Sequence, residues 1–147
     1  MNIINAHLRS VGEFLDRYLS DLPRGGLFIP TRKLASVDSA YWCRMRDREY
    51  LRWAMPYDEQ QLVDALARLQ AARTSGVGDS KLVGYFRSTG VVVPVWDLAP
   101  GTEADDVEGP AREFLGRLEV ALADTSPLDA NARRARAGLV SRQVTLR

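Results

Sequence analysis

The chain has 147 residues, of which 46% are apolar, and its formal net charge is +1 at pH 7. This length predicts one domain that buries about 70% of the surface exposed by its unfolded chain. Because no apolar run approaches the roughly 18 residues of a membrane span and the N-terminus lacks a secretory-signal pattern, we expect a cytoplasmic protein without a membrane partner. One cysteine, Cys43, and one histidine exclude an internal disulfide and the common cysteine–histidine zinc sites, and we expect no metal or cofactor.

Basic residues are concentrated at the C-terminal end. The last fifteen residues contain five arginines and no acidic residue, whereas the first 132 contain 15 basic and 19 acidic residues. The charge pattern therefore predicts a basic tail attached to a mildly acidic body.

The first predicted element is an amphipathic helix over residues 2–22. Its apolar residues recur at alternating spacings of four and three: Ile4, Leu8, Val11, Leu15, Tyr18 and Leu22. Pro23 and the pair Gly25-Gly26 end this helix. The short apolar run 27–30 then predicts a first strand.

A first hairpin and a helix follow. Residues Ala40–Met45 and 49–55 are rich in aromatic and branched side chains and predict two strands around a turn at 46–48. Asp58 supplies a side-chain acceptor for the free amides of a following helix, whose apolar face carries Leu62, Leu66 and Leu69.

The second half of the chain repeats this order. Residues 74–80 predict a flexible loop, and residues 82–87 and Val91–Leu98 predict a second hairpin, in whose turn Gly90 can adopt positive φ. A polar insertion at 102–109 precedes an amphipathic helix marked by Phe114, Leu118, Ala121 and Leu122. Asp129 predicts the cap of a last helix over 130–139, and residues 143–147 show no clear period.

Superposing the two halves indicates a duplicated ββα unit at 40–72 and 83–123. A shift of 43 places Arg44 on Arg87 and Trp53 on Trp96, and after the insertion a shift of 52 places Leu62 on Phe114. We predict an α+β fold with about five antiparallel strands in the order α-β-β-β-α-β-β-α, helices mainly on one face and an extra C-terminal helix. Residues 1–128 would form one domain, and residues 129–147 a basic helix and tail.

This order resembles the class I type III secretion chaperones and the YbjN-like proteins, and the likeness implies a sheet covered by helices on one face and dimerisation through a helix stripe or the sheet. A more specific resemblance, to the C-terminal half of an actinobacterial family of unknown function, rests on these motifs: Ser39-Ala40-Tyr41-Trp42, Leu51-Arg52-Trp53, Gly84-Tyr85-Phe86-Arg87, Val93-Pro94-Val95-Trp96-Asp97-Leu98, Arg133-Arg134-Ala135-Arg136-Ala137-Gly138-Leu139 and Ser141-Arg142-Gln143-Val144-Thr145-Leu146-Arg147. It implies a bacterial, intracellular origin, no assigned activity and a shortened form of a longer protein.

Strand alternation divides the hairpin residues between two faces. The predicted helix-covered face carries Trp42, Leu51, Trp53, Val83, Tyr85 and Trp96. The opposite face carries Cys43 and the six residues that we predict to bind protein: Tyr41, Tyr50, Arg52, Phe86, Val93 and Val95. Because this second face is too apolar for water, either a terminal helix folds back over it or a homodimer or another protein partner covers it.

Two sets of arginines are further candidates. Arg44 is predicted to face Glu49 across the first hairpin as a solvated ion pair, or to grip an acidic ligand together with Arg87. The alternative nucleic-acid-binding set is Arg133, Arg134, Arg136 and Arg142. In the competing interpretation, the last helix docks on the domain through its apolar residues. The arginines are then solvated or pair with the acidic residues of the insertion: Glu103, Asp105, Asp106 and Glu108. No aromatic residue that could stack on a base follows Phe114.

Residue patterns do not favour an enzyme or a small-molecule substrate. Neither Cys43 nor His7 has an identifiable catalytic partner in sequence, and residues 76–81 lack the Gly-Lys-Ser/Thr ending of a phosphate loop and precede a strand. Our leading hypothesis is a non-enzymatic chaperone-like or adaptor domain that binds protein through a sheet face or helix groove and self-associates. The alternative is a nucleic-acid or ribosome-associated accessory protein that uses the basic tail.

Overall fold

The sheet consists of two hairpins lying side by side with shorter strands at both edges. The computed structural model describes residues 30–146. Its strands are β1 (Thr31–Lys33), β2 (Ala40–Met45), β3 (Arg48–Trp53), β4 (Ser80–Ser88), β5 (Val91–Leu98) and β6 (Val144–Leu146), and its helices are α1 (Glu59–Ala71), α2 (Ala104–Ala123) and α3 (Ala130–Ser141). The predicted α+β class is confirmed, as is the predicted order of elements from the first strand to the last helix. The predicted helix at 2–22 and residues 27–29 of the predicted first strand lie outside the described residues.

The strands are arranged in the order β1-β2-β3-β5-β4-β6. All neighbouring strands are antiparallel except β4 and β6, which are parallel. Because β3 lies beside β5, with Leu51 opposite Trp96, the second strands of the two hairpins join at the centre of the sheet. The two ββα units therefore form one continuous sheet.

Local sequence signals explain the hairpins and helix starts. Thr89 and Gly90 both have positive φ, 49° and 81°, which is the two-residue turn geometry that matches strand twist. Asp58 accepts a hydrogen bond from Gln61 N at 3.1 Å, and Asp129 accepts one from Ala132 N at 2.8 Å, so both predicted caps are confirmed.

The polar insertion at 102–109 forms the beginning of α2. Glu103 and Asp106 make a reciprocal capping box, in which Asp106 Oδ2 accepts from Glu103 N at 2.9 Å. Ala104 and Val107 are buried on the inner side of this turn. The insertion thus extends a helix instead of adding a loop.

β6 is a strand that the sequence did not predict. Its three residues pair in parallel with the second half of β4, beginning with Val144 opposite Phe86. A segment this short shows no recognisable period.

The main core lies between one sheet face and the three described helices. Trp53, Trp96 and Phe114 meet at its centre, with ring centroids 5.1–6.2 Å apart. The assignment of Val83 to this face is wrong: the β4–β5 register shifts between Leu82 and Gly84, so Leu82 joins the core and Val83 packs against the cluster on the opposite face. A one-residue shift in register moves the side chains on one side of the shift to the opposite face of the sheet.

Candidate binding surfaces

The second face of the sheet carries a separate apolar cluster. Its members are 1–7% exposed: Cys43, Tyr50, Phe86, Val93 and Val95. All buried residues of α1 and α2, together with Leu139 of α3, belong to the core on the other face. Of the residues predicted to bind protein, Tyr50, Phe86, Val93 and Val95 lie in this cluster. Tyr41 and Arg52 are half-buried cross-strand partners, with the Arg52 guanidinium carbon 5.4 Å from the Tyr41 ring centroid.

Cys43 is a packing residue of this second face. Burial raises the pKa of its thiol to about 12, and the thiol donates to the Tyr50 carbonyl oxygen at a sulfur–oxygen distance of 3.7 Å. Because the thiolate is the reactive form of cysteine, a thiol with such a pKa is a poor nucleophile at neutral pH.

The matched arginines of the two units both bind carboxylates of the chain itself. Arg44 lies opposite Glu49, with its Nε 3.0 Å from Glu49 Oε1, and its Nη2 is 2.7 Å from Glu103 Oε1. The predicted cross-strand pair is therefore present, although the Glu49 side chain is only 4% exposed. Arg87 binds Glu59, and the hydrogen bond from Arg87 holds the pKa of Glu59 below its ordinary value.

The basic C-terminal residues do not form one patch. Arg136 donates to Asp64 Oδ1 at 2.6 Å, Arg133 donates to the Leu128 carbonyl at 2.7 Å, and Arg134 contacts Asn131. Arg142 lies beyond α3, eight residues from Arg134, which corresponds to about 12 Å along a helix axis. The four arginines are thus spread along α3: Arg133 and Arg134 lie near its start, Arg136 at its middle and Arg142 just after its end.

The predicted pairing of this tail with the acidic insertion is wrong for the described residues. Glu103 binds Arg44, and Asp105 binds Arg32. Glu108 accepts backbone hydrogen bonds from Ala35 N and Ser36 N at 2.9–3.0 Å, and the hydrogen bond from Ala35 is the main reason that the pKa of Glu108 is lowered. The insertion therefore fastens α2 to the first hairpin and its edge strand.

A basic cleft is the feature that sequence reasoning missed. It has a volume of about 530 Å³ and lies between the end of α1, the loop 74–80, the start of β4 and the residue that follows α3. Arg73, Lys81 and Arg142 supply its positive charge, and Asp97 also lines it. Within residues 30–146, none of these three cations forms an ion pair with a carboxylate, whereas Asp97 lies 3.0 Å from Arg48 Nη2.

The loop 74–80, which is predicted from sequence to be flexible, is fastened to the core by hydrogen bonds and a buried side chain. Ser75 O accepts from Trp96 Nε1 at 2.7 Å, Gly76 O accepts from Arg117 Nη2 at 2.8 Å, and Val77 is 2% exposed. A β-carbon on Gly76 would lie 2.9 Å from Ser80 O, so this close turn requires glycine. One wall of the cleft is thus formed by a well-ordered turn.

Both candidate surfaces lie in the part of the chain that matches a known protein family. The model of a family of unknown function, DUF5926, matches residues 24–147. The chain belongs to this family. No curated protein and no solved structure matches the chain.

In this DUF5926 chain, the apolar cluster and the basic cleft both lie within the matched residues. No helix that the structure describes is long and apolar enough to span a membrane. Among residues 30–146, no group of three or more His, Cys, Asp or Glu side chains is placed to hold a metal ion.

Proposed function

We propose that this protein is a non-enzymatic, chaperone-like binding domain whose second sheet face receives an amphipathic helix, and that two copies associate by exchanging that helix. The observation that carries the proposal is the buried apolar cluster around Tyr50, Phe86 and Val93. It is almost completely excluded from water, although all three described helices pack on the opposite face. An apolar sheet face of this kind requires a cover.

Residues 2–22 supply the occupant in this proposal. Their sequence predicts a single apolar stripe along a helix, and 21 helical residues measure about 31 Å. Six strands spaced by about 4.8 Å span about 24 Å, so one such helix is long enough to cross the sheet. The described chain begins at Pro30, whose carbonyl oxygen accepts from Arg44 N at 2.9 Å, next to β2. The preceding residues are thus connected to the edge of this sheet.

The connection between the two parts permits exchange between copies. Residues 23–29 can extend over at most about 25 Å, so the helix can reach a face of its own chain or of a closely paired copy. The apolar contacts are the same in both arrangements, and exchange of an identical element is a low-cost route to a dimer. We place this association in the cytoplasm, where a lone thiol such as Cys43 stays reduced.

Complementation between two defective chains tests the proposal. The first carries Tyr50→Ser and Val93→Ser on the sheet face, and the second carries Leu8→Asp and Leu15→Asp on the stripe. In light scattering after size-exclusion chromatography, we expect a wild-type dimer, impaired association of each variant alone, and a heterodimer on mixing because one intact face then meets one intact helix. Val120→Ser, at a position that is 74% exposed on α2, is the matched control and should remain dimeric.

A wild-type protein that stays monomeric at every concentration while circular dichroism shows a folded chain would refute the exchange. In that case, the helix that covers the second sheet face would belong to the same chain. A dimer that persists in the stripe variant, which leaves the described sheet unchanged, would show that another surface pairs the copies. Recording absorbance at two wavelengths also reveals any nucleic acid carried by the tail arginines.

A further inference from the structure

The cations of the basic cleft differ from the arginines that form ion pairs with carboxylates of the chain. Arg44, Arg87 and Arg136 each meet a carboxylate of the protein. Arg73, Lys81 and Arg142 instead converge on one concave space from three separate parts of the chain. At about 530 Å³, this space falls within the range of roughly 300–1,000 Å³ that is typical of small-molecule sites.

Arg142 is half-buried, and within residues 30–146 it forms no ion pair with a carboxylate. Its Nε is buried and has no hydrogen-bond acceptor, and burial lowers the pKa of its guanidinium. Gly138 makes room for this side chain, because a β-carbon there would lie 3.2 Å from Arg142 Nη1. Partial burial of a cation that has no ion-pair partner is unfavourable, and a bound anion would offset this cost.

Arg73 occupies a backbone position that favours glycine. At the end of α1, Arg73 N donates to Gln70 O at 3.1 Å and Thr74 N donates to Leu69 O at 2.8 Å. This is the Schellman arrangement, in which the residue with positive φ is usually glycine. Arg73 has a φ of 59°, and an L-residue with a β-carbon loses stability in this region. Stability alone therefore does not account for an arginine at this position, where it lines the cleft.

Polar groups near these cations are held in place before any ligand binds. Ser80 Oγ accepts from Val77 N at 2.8 Å, and Arg117 and Trp96 fix the carbonyl groups of the loop. The outer edge of β4 pairs with β6 only from Phe86 to Ser88, so this pairing does not cover the start of β4 that forms the floor of the cleft. A preformed site loses little conformational entropy on binding.

We propose that this cleft binds a small, multiply charged anion of the phosphate class, held by Arg73, Lys81 and Arg142. Two guanidinium groups and one ammonium group form charge-assisted hydrogen bonds with the oxygens of such an anion. Asp97 also lines the cleft, opposite Lys81 in the β4–β5 ladder, but its carboxylate is paired with Arg48, so the three cations leave the lining positive. The loop 74–80 contributes the shape of the site, although its sequence does not follow the phosphate-loop pattern.

Calorimetric titration of the full chain with pyrophosphate tests this proposal, with sodium chloride at equal ionic strength as the reference. Arg73→Gly and Arg142→Met should each weaken binding by about tenfold, the loss expected for one charge-assisted hydrogen bond. Arg46→Gly is the matched control, because Arg46 also has positive φ, 58°, but lies in the first hairpin turn and does not line the cleft. It should bind pyrophosphate as the wild type does.

Thermal melting separates a ligand-binding role from a structural one. Because Arg73→Gly relieves an unfavourable φ and Arg142→Met removes a half-buried cation that has no ion-pair partner, neither variant should melt below the wild type in the absence of ligand. Weaker binding together with unchanged or increased thermal stability supports the site. A lower melting temperature accompanying the weaker binding would assign a structural role to the arginine and overturn the proposal.

Two further outcomes would also overturn the proposal. One is pyrophosphate binding that is the same in Arg46→Gly and in the double variant Arg73→Gly/Arg142→Met, or that does not exceed the chloride reference. The other concerns the source of the phosphate: if a single-stranded oligonucleotide displaces pyrophosphate, and Arg133→Gln/Arg134→Gln weakens both ligands as much as the cleft variants do, the phosphate contact belongs to a nucleic-acid surface.

Discussion

Replacement of Leu139 by alanine tests whether the C-terminal helix is an integral part of the domain. Leu139 is completely buried in the main core, and α3 packs against α1. Removal of a fully buried leucine side chain destabilises a protein by 2–5 kcal/mol, and we expect about 3 kcal/mol here. For a chain of this length, that loss corresponds to a melting temperature lower by about 6–12 °C.

The neighbouring residue provides the control for this substitution. Val140 is 42% exposed, so Val140→Ala should change stability by less than about 0.5 kcal/mol. Urea unfolding followed by tryptophan fluorescence measures both variants, since Trp53 and Trp96 lie in the same core. Equal unfolding midpoints for Leu139→Ala and Val140→Ala would show that α3 does not contribute to the cooperative unit and would refute the argument.

A pair of glycine substitutions and one acidic residue give further tests. Gly76→Ala should destabilise the protein because the new β-carbon meets Ser80 O at 2.9 Å, whereas Gly116→Ala, on a helix surface with nothing within 4 Å, should stabilise it by about 0.5–1 kcal/mol in urea unfolding. The Arg87 hydrogen bond lowers the pKa of Glu59 in the folded state, so its contribution to stability is present above about pH 4.5 and is lost as the pH falls through the folded value. Glu59→Gln should therefore show a flatter decrease in urea midpoint below pH 4.5; an identical slope would contradict this assignment.

The elements that could be predicted from sequence are those specified by local chemistry. Caps at Asp58 and Asp129 and the turn at Gly90 depend on neighbouring residues, and their predictions are confirmed. The face of Val83 was assigned wrongly because a register shift depends on how β4 pairs with β5. The edge strand β6 was missed because three backbone-paired residues show no side-chain pattern.

The candidate surfaces differ in the same way. The second-face cluster was predicted because alternation within each hairpin is a local property, and Tyr50, Phe86 and Val93 lie where it placed them. The basic cleft was not predicted, because Arg73 and Arg142 approach each other only after α3 has packed against α1. The sequence signal that could have suggested it is the arginine at the C-terminal end of α1, where glycine is usual.

The two ββα units also differ in how they use the segment before their first hairpin strand. In the first unit, the amides of Ala35 and Ser36 bind the carboxylate of Glu108, which α2 of the second unit supplies. In the second unit, the corresponding loop borders Arg73, Lys81 and Arg142, and no carboxylate of the described residues pairs with these cations. In the first unit, a carboxylate of the chain itself thus accepts the hydrogen bonds of the loop amides. The loop of the second unit instead borders three cations, whose charge an anion from solution would balance.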